Sequence, residues 1–154
     1  MKKILIAGLF SIVSLTSLSF AADTATINPH GSSPHGSSDA VADIGDVNVS
    51  KATGQNAYTV AEIVDQSVSL KDKKVVVRGK VVKFSPEIMG KNWIHLRDGS
   101  GTVVGKNNDL VITSKDQVKV GAVVTIRGIV HTSKDFGHGY SYDVILEDAT
   151  VSSK

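Results

Sequence analysis

Residues 73–101, KKVVVRGKVVKFSPEIMGKNWIHLRDGSG, decide the fold that this sequence predicts. Lys73 to Phe84 is rich in valine. The segment from Ser85 to Gly90 contains two turn-forming residues, Pro86 and Gly90. From Asn92 to Asp98 apolar and polar residues alternate. Two β-rich segments joined by a Gly/Pro loop predict a β-hairpin. Because successive side chains of a strand point to opposite faces, one face of the second strand should meet a core and the other solvent or a ligand.

Gly79 interrupts the first of these strands. A strand interior tolerates glycine where the chain bends or bulges. A long first strand that bends at its centre and joins both halves of a small barrel is how an OB-fold begins. Three more strands are expected at residues 109–113, 123–132 and 140–151, with a short helix at 60–68 and a turn of helix at 114–118. The fold class is therefore an all-β, five-stranded OB-fold barrel with a short helix, since a sandwich normally needs about seven strands.

On each strand, the apolar residues that alternate onto one face form the expected core. They are Val75, Val77, Val81, Ile94, Leu96, Leu110, Ile112, Val124, Ile126, Val130, Val144 and Leu146.

The N-terminal segment, residues 1–21, has the pattern of a Sec signal peptide. Lys2 and Lys3 precede an apolar run, and Ser19-Phe20-Ala21 supplies small residues at the two positions that signal peptidase reads. We expect cleavage after Ala21, a soluble periplasmic protein and no stable membrane span after cleavage. The alternative is an uncleaved membrane anchor.

Residues 22–57 form a leader that is rich in Ser, Asp, Gly and Ala and is expected to be flexible. It contains a tandem PHGSS repeat that places His30 and His35 five residues apart. Two neutral imidazoles can chelate a divalent metal weakly; the alternative is a polar linker with a chance repeat. The folded domain is expected to span residues 58–154.

Composition excludes several activities. The chain has no cysteine, so it has no thiol nucleophile, no Cys-based zinc site and no CxxCH haem attachment. No nucleophile elbow, P-loop or H-E-x-x-H motif occurs, so we expect no enzyme. Residues 58–154 carry 14 basic and 11 acidic side chains. Dedicated nucleic-acid binders are usually more basic than this.

The candidate ligand-binding residues follow from the side of an OB-fold that usually binds ligands, the outer face of its second and third strands and the adjacent loops. Strand alternation places Trp93 opposite Ile94 and Leu96, so it should lie on the outer face. Aromatic and cationic side chains together suit base stacking and phosphate neutralisation. The expected binding residues are Arg78, Lys80, Trp93, His95, Arg97, Phe136, His138 and Tyr140. Alternatively, Trp93 closes the barrel end and the charges are ordinary solvated positions.

The stretch KDFGHGYSY, residues 134–142, is either a clamp over a ligand or a turn whose tyrosines pack on the sheet. His138 and Tyr142 have the H-x-x-x-Y spacing with which the exported haem chaperone of cytochrome c maturation, also an OB-fold protein, holds haem. In that family the motif lies in a mobile tail, whereas here the pair is expected at the start of the last strand, on one face.

A family resemblance covers residues 60–151. The stretches at 77–101, 109–113 (DLVIT), 120–130 (VGAVVTIRGIV) and 134–149 (KDFGHGYSYDVILEDA) resemble small exported bacterial OB-fold proteins that are described as nucleotide- or DNA-binding. The resemblance implies a non-enzymatic periplasmic binding protein whose ligand is single-stranded nucleic acid or a nucleotide. Two alternatives stay open: a metal or haem carrier for exported redox proteins, and an adaptor that binds a periplasmic protein partner at the Trp93 face.

Overall fold

The computed structural model describes residues 45–152. The predicted signal peptide, most of the leader and both of its histidines, His30 and His35, lie outside the described residues. The elements are β1 (Ala57–Tyr58), α1 (Val60–Asp65), α2 (Ser67–Leu70), β2 (Lys74–Ile88), β3 (Lys91–Arg97), β4 (Leu110–Ser114), β5 (Val123–Asp135) and β6 (Ser141–Ser152).

Strand pairing closes the five longer strands into a ring. The order is β2-β3-β4-β6-β5, and β5 pairs back with β2. The pairs are antiparallel except β4–β6. The two-residue β1 lies parallel to β2 and was not predicted from the sequence. The described chain is thus mostly β with short helices, consistent with an all-β OB-like fold.

Two local predictions were wrong, and a third was confirmed in part. Residues 85–88 continue β2, so the predicted loop shrinks to a turn at Met89 and Gly90, with φ angles of 55° and 71°. No helix forms at 114–118; there the Ser114 hydroxyl donates to the Ala149 carbonyl at 2.6 Å and accepts from the Asp116 amide at 3.0 Å. The predicted helix at 60–68 divides at Gln66 into α1 and α2.

The predicted core is confirmed. Eleven of its twelve residues are buried in one cluster, and Val144 is half-buried against it. Val60, Ile63 and Leu70 from the two helices join the cluster, so the helices cover part of it.

Gly79 permits close approach and does not mark a bulge. A Cβ there would lie 2.7 Å from the Arg97 carbonyl oxygen and 2.7 Å from Leu96 Cγ. The register with β5 runs through Gly79 without interruption. The irregular positions of β2 lie farther along, between Val81 and Lys83 and between Ser85 and Ile88.

The N-terminus of α1 is fixed by side chains. Thr59 and Glu62 form a capping box, and the Val60 amide donates to Asp98 Oδ2 at 2.9 Å. The hydrogen bond from Lys51, with that from the Thr59 amide, holds the pKa of Glu62 below its ordinary value. The Val49 amide donates to the Asp98 carbonyl at 2.9 Å, so packing begins upstream of the predicted domain start at residue 58.

Candidate ligand-binding face

The face of β3 that points away from the core continues across β2. Ile94 and Leu96 are in the core cluster, whereas Trp93, His95 and Arg97 are not. The register places Lys80 opposite Arg97 and Lys83 opposite His95. On the other side of β2, β5 adds an exposed arginine next to Val76. These outward side chains form what we call the basic face: Arg78, Lys80, Lys83, His95, Arg97 and Arg127.

Lys83 and Arg127 extend the predicted set. Strict alternation from Val75, Val77 and Val81 would turn Lys83 toward the core. The irregular step between Val81 and Lys83 shifts the pleat by one residue and turns the lysine outward.

Asp109 supplies negative charge at one edge of the basic face. Its Oδ2 lies 2.7 Å from His95 Nδ1, and its Oδ1 accepts from Arg97 Nε at 3.2 Å. All three side chains are partly exposed. The Asp109 carboxylate therefore orients the Arg97 side chain at the surface. The sequence did not predict this contact.

The opposite edge of the basic face borders an open groove of about 440 Å³. Arg78 and Arg127 line it together with Lys51. Arg78 Nη1 donates to the Ser50 carbonyl at 3.3 Å, and Lys51 pairs with Glu62 at 2.6 Å. Two arginine side chains thus face a groove with room for an anionic group.

Trp93 is covered by aromatic side chains from the end of the β5–β6 hairpin. Its ring centroid lies 5.2 Å from that of Phe136, 5.9 Å from Tyr140 and 5.5 Å from Tyr142; these four rings are the aromatic cluster. The indole Nε1 donates to the Ile88 carbonyl at 2.8 Å.

Burial sets the accessibility and protonation of the aromatic cluster. Trp93 is 1% exposed. Burial, with the neighbouring Tyr140, raises the pKa of Tyr142. The structure therefore brings Phe136 and Tyr140 to Trp93, as the candidate site requires, but leaves the indole no open face. Trp93 is not a member of the core cluster.

A buried carboxylate ties this hairpin end to β3. Glu147 is 4% exposed; its Oε1 accepts a hydrogen bond from Lys91 Nζ at 2.9 Å, and its Oε2 forms an ion pair with Lys134 Nζ at 2.9 Å. Both lysines also lie over the Phe136 ring, at 5.7 and 5.4 Å from its centroid. Burial raises the pKa of Glu147, but the hydrogen bonds from the two lysines outweigh burial and hold that pKa below its ordinary value.

His138 lies in the turn of the β5–β6 hairpin, between Phe136 and Tyr140. It is exposed, has a φ of 54° and sits in the hairpin turn, before β6 begins at Ser141. The prediction that His138 and Tyr142 share the start of the last strand is therefore wrong. Among residues 45–152, no group of three or more His, Cys, Asp or Glu side chains could hold a metal ion.

Comparisons with known proteins give weak structural similarity and no sequence match. No family model matches the chain, and no curated protein does. A solved chain described as an aspartyl-tRNA synthetase from Leishmania major Friedlin superposes with a TM-score of 0.43 and 14% identity. The match covers 70% of this chain and 24% of that one, so this chain corresponds to about a quarter of that protein. Within the described residues, no helix has the length and apolar character needed to cross a membrane.

Proposed function

We propose that this chain is a non-enzymatic OB-type barrel, exported to the periplasm, that binds single-stranded nucleic acid along the basic face. The observation that carries the proposal is the register of β2 and β3, which sets Lys80 opposite Arg97. Like charges directly opposite each other destabilise a pair of strands. A polyanion that lies across both side chains would place negative charge beside each of these cations.

The distribution of charge supports the same proposal. Residues 58–154 carry an excess of three basic side chains, 14 against 11, which is small for the whole domain. Five permanent cations nevertheless gather on β2, β3 and β5, namely Arg78, Lys80, Lys83, Arg97 and Arg127. Phosphate binding depends on such a local arrangement, because each neutralised phosphate releases counterions.

The number of phosphate contacts can be tested by measuring how the affinity depends on salt concentration. Five phosphate contacts give a slope of about −3.5 for log K against log salt on a single strand, or about a hundredfold loss between 50 and 200 mM salt. The assay is fluorescence anisotropy of a labelled single-stranded oligothymidylate. Lys80→Gln and Arg97→Gln should each reduce the slope by about 0.7. Lys119→Gln, a matched change at an exposed lysine that is not one of the basic-face residues, should leave it unchanged.

Asp109→Asn should have the opposite effect on the affinity for the oligonucleotide. Removing this carboxylate frees Arg97 and deletes a charge that repels phosphate, so binding should tighten by about threefold to tenfold at low salt. Binding that does not respond to salt, or no binding at all to the oligonucleotide, would refute the proposed function.

A further inference from the structure

The end of the β5–β6 hairpin bends back onto the molecule. Lys134 pairs with Tyr142 in the register, and Glu147 lies farther along β6, about 16 Å from Tyr142 if the strand were straight. A lysine and a glutamate side chain do not span that distance. Their ion pair at 2.9 Å therefore requires the hairpin end to curl over β3.

The bend has an identifiable position. Ser133 has a φ of 52° within β5, and the residues on either side of it, Thr132 and Lys134, keep their partners on β6. A non-glycine residue in the left-handed region is uncommon and costly, and such residues cluster at switches and ligand clamps. The kink lies in β5 only, since β6 runs unbroken from Ser141 to Ser152. We call the segment beyond it, residues 134–142, the lid.

Ring contacts and an ion pair connect the lid to the body of the domain. Phe136, Tyr140 and Tyr142 pack on Trp93, and Lys134 pairs with Glu147. Lys91 from β3 reaches the same carboxylate and lies over the Phe136 ring. Glu147 thus bridges a lysine of the lid and a lysine of the body, so losing its charge weakens both links together.

We propose that the lid opens on Trp93 and that the uncovered indole stacks a nucleobase of the strand whose phosphates lie on the basic face. The inference rests on the proposed function. Trp93 lies on the same side of β3 as His95 and Arg97, so an open lid adds a flat aromatic surface at one end of the basic face. Stacking on an aromatic ring accepts any base, since every base has a π face.

Lid opening can be measured without a ligand, because Trp93 is the sole tryptophan of the chain. In the wild-type protein acrylamide should quench Trp93 weakly. Glu147→Gln and Lys134→Met should each raise the open population by about tenfold, since losing one charged hydrogen-bond partner changes an equilibrium by that order. Quenching should then increase and emission should shift to the red. Lys119→Met is the matched control and should quench as the wild type does.

Should Glu147→Gln fail to fold by circular dichroism, Lys134→Met, which changes a half-exposed lysine, decides the question. If Lys134→Met folds and its Trp93 is quenched no more than in the wild type, the proposal that the lid opens is overturned.

Stacking is tested by comparing an oligothymidylate with an abasic strand of equal length and charge. We expect the base-containing strand to quench Trp93 and to bind about tenfold or more tightly, the value of one stacked base. The advantage should be larger in Glu147→Gln. Equal binding of both strands with unchanged Trp93 emission overturns the stacking inference and leaves the proposed function standing. Binding of neither strand overturns the proposed function and the stacking with it.

Discussion

Replacing Trp93 with alanine should destabilise the domain strongly, although this residue lies outside the core cluster. The indole is 1% exposed, contacts three aromatic rings and donates a hydrogen bond to the Ile88 carbonyl. Truncating a buried tryptophan to alanine costs about 3–5 kcal/mol. Each ring pair contributes about 0.5–1.5 kcal/mol beyond its area. The truncation range already includes the lost ring contacts, so we expect a loss of about 4 kcal/mol, which lowers Tm by about 15–20 °C in a domain of this size.

The assay is urea and thermal denaturation followed by far-ultraviolet circular dichroism, because the variant has no tryptophan. Trp93→Phe is the matched control: it retains a ring against Phe136 but loses the hydrogen bond to Ile88, so it should cost only about 1–2 kcal/mol. If Trp93→Ala costs less than about 1 kcal/mol, the aromatic cluster does not exist in solution as described, and the argument for a lid fails with it.

Three further predictions concern other parts of the chain. Because the pKa of Glu147 is lowered in the folded state, its ionised form stabilises the fold above about pH 4.5, and this stabilisation is lost as pH falls through the folded pKa. Glu147→Gln should therefore flatten the acid side of a Tm–pH curve, and an unchanged curve would contradict this. Gly79→Ala should cost about 1–3 kcal/mol in urea denaturation because its Cβ would meet the Arg97 carbonyl oxygen; a neutral effect would contradict the close approach. Intact-mass spectrometry of the exported protein should give an N-terminus at Ala22, whereas retention of residues 1–21 in a membrane fraction would favour an anchor.

The alternation of apolar and polar residues along the strands accounts for most of the correct predictions. The period of two in 73–84 and 92–98 separates core from surface wherever the ladder is regular, so the core and the outward direction of His95 and Arg97 followed from local sequence. Lys83 could not be placed, because a bulge reverses the alternation and no residue type marks its position.

The accessibility of Trp93 depends on contacts that local sequence does not encode. The rings that cover it come from residues 136–142, more than forty positions along the chain, and their position depends on the curl of the β5–β6 hairpin. The same holds for Glu147 and Lys91, which are 56 residues apart. Sequence spacing reveals ion pairs within a helix or across a tight hairpin, but not between strands that meet only when the ring closes.

The basic face also explains why the carboxylate of Asp109 stands at its edge. In the free protein Asp109 orients Arg97 and partly offsets its repulsion with Lys80 across the strand pair. A phosphate that binds there must share Arg97 with this carboxylate, so the affinity reflects the difference between the two partners and not the full strength of either. Binding at this edge should therefore be weaker than at Arg78, whose guanidinium contacts a neutral carbonyl of residue 50. In a comparison of single variants, Arg78→Gln should accordingly weaken binding more than Arg97→Gln does, and Asp109→Asn should remove that difference.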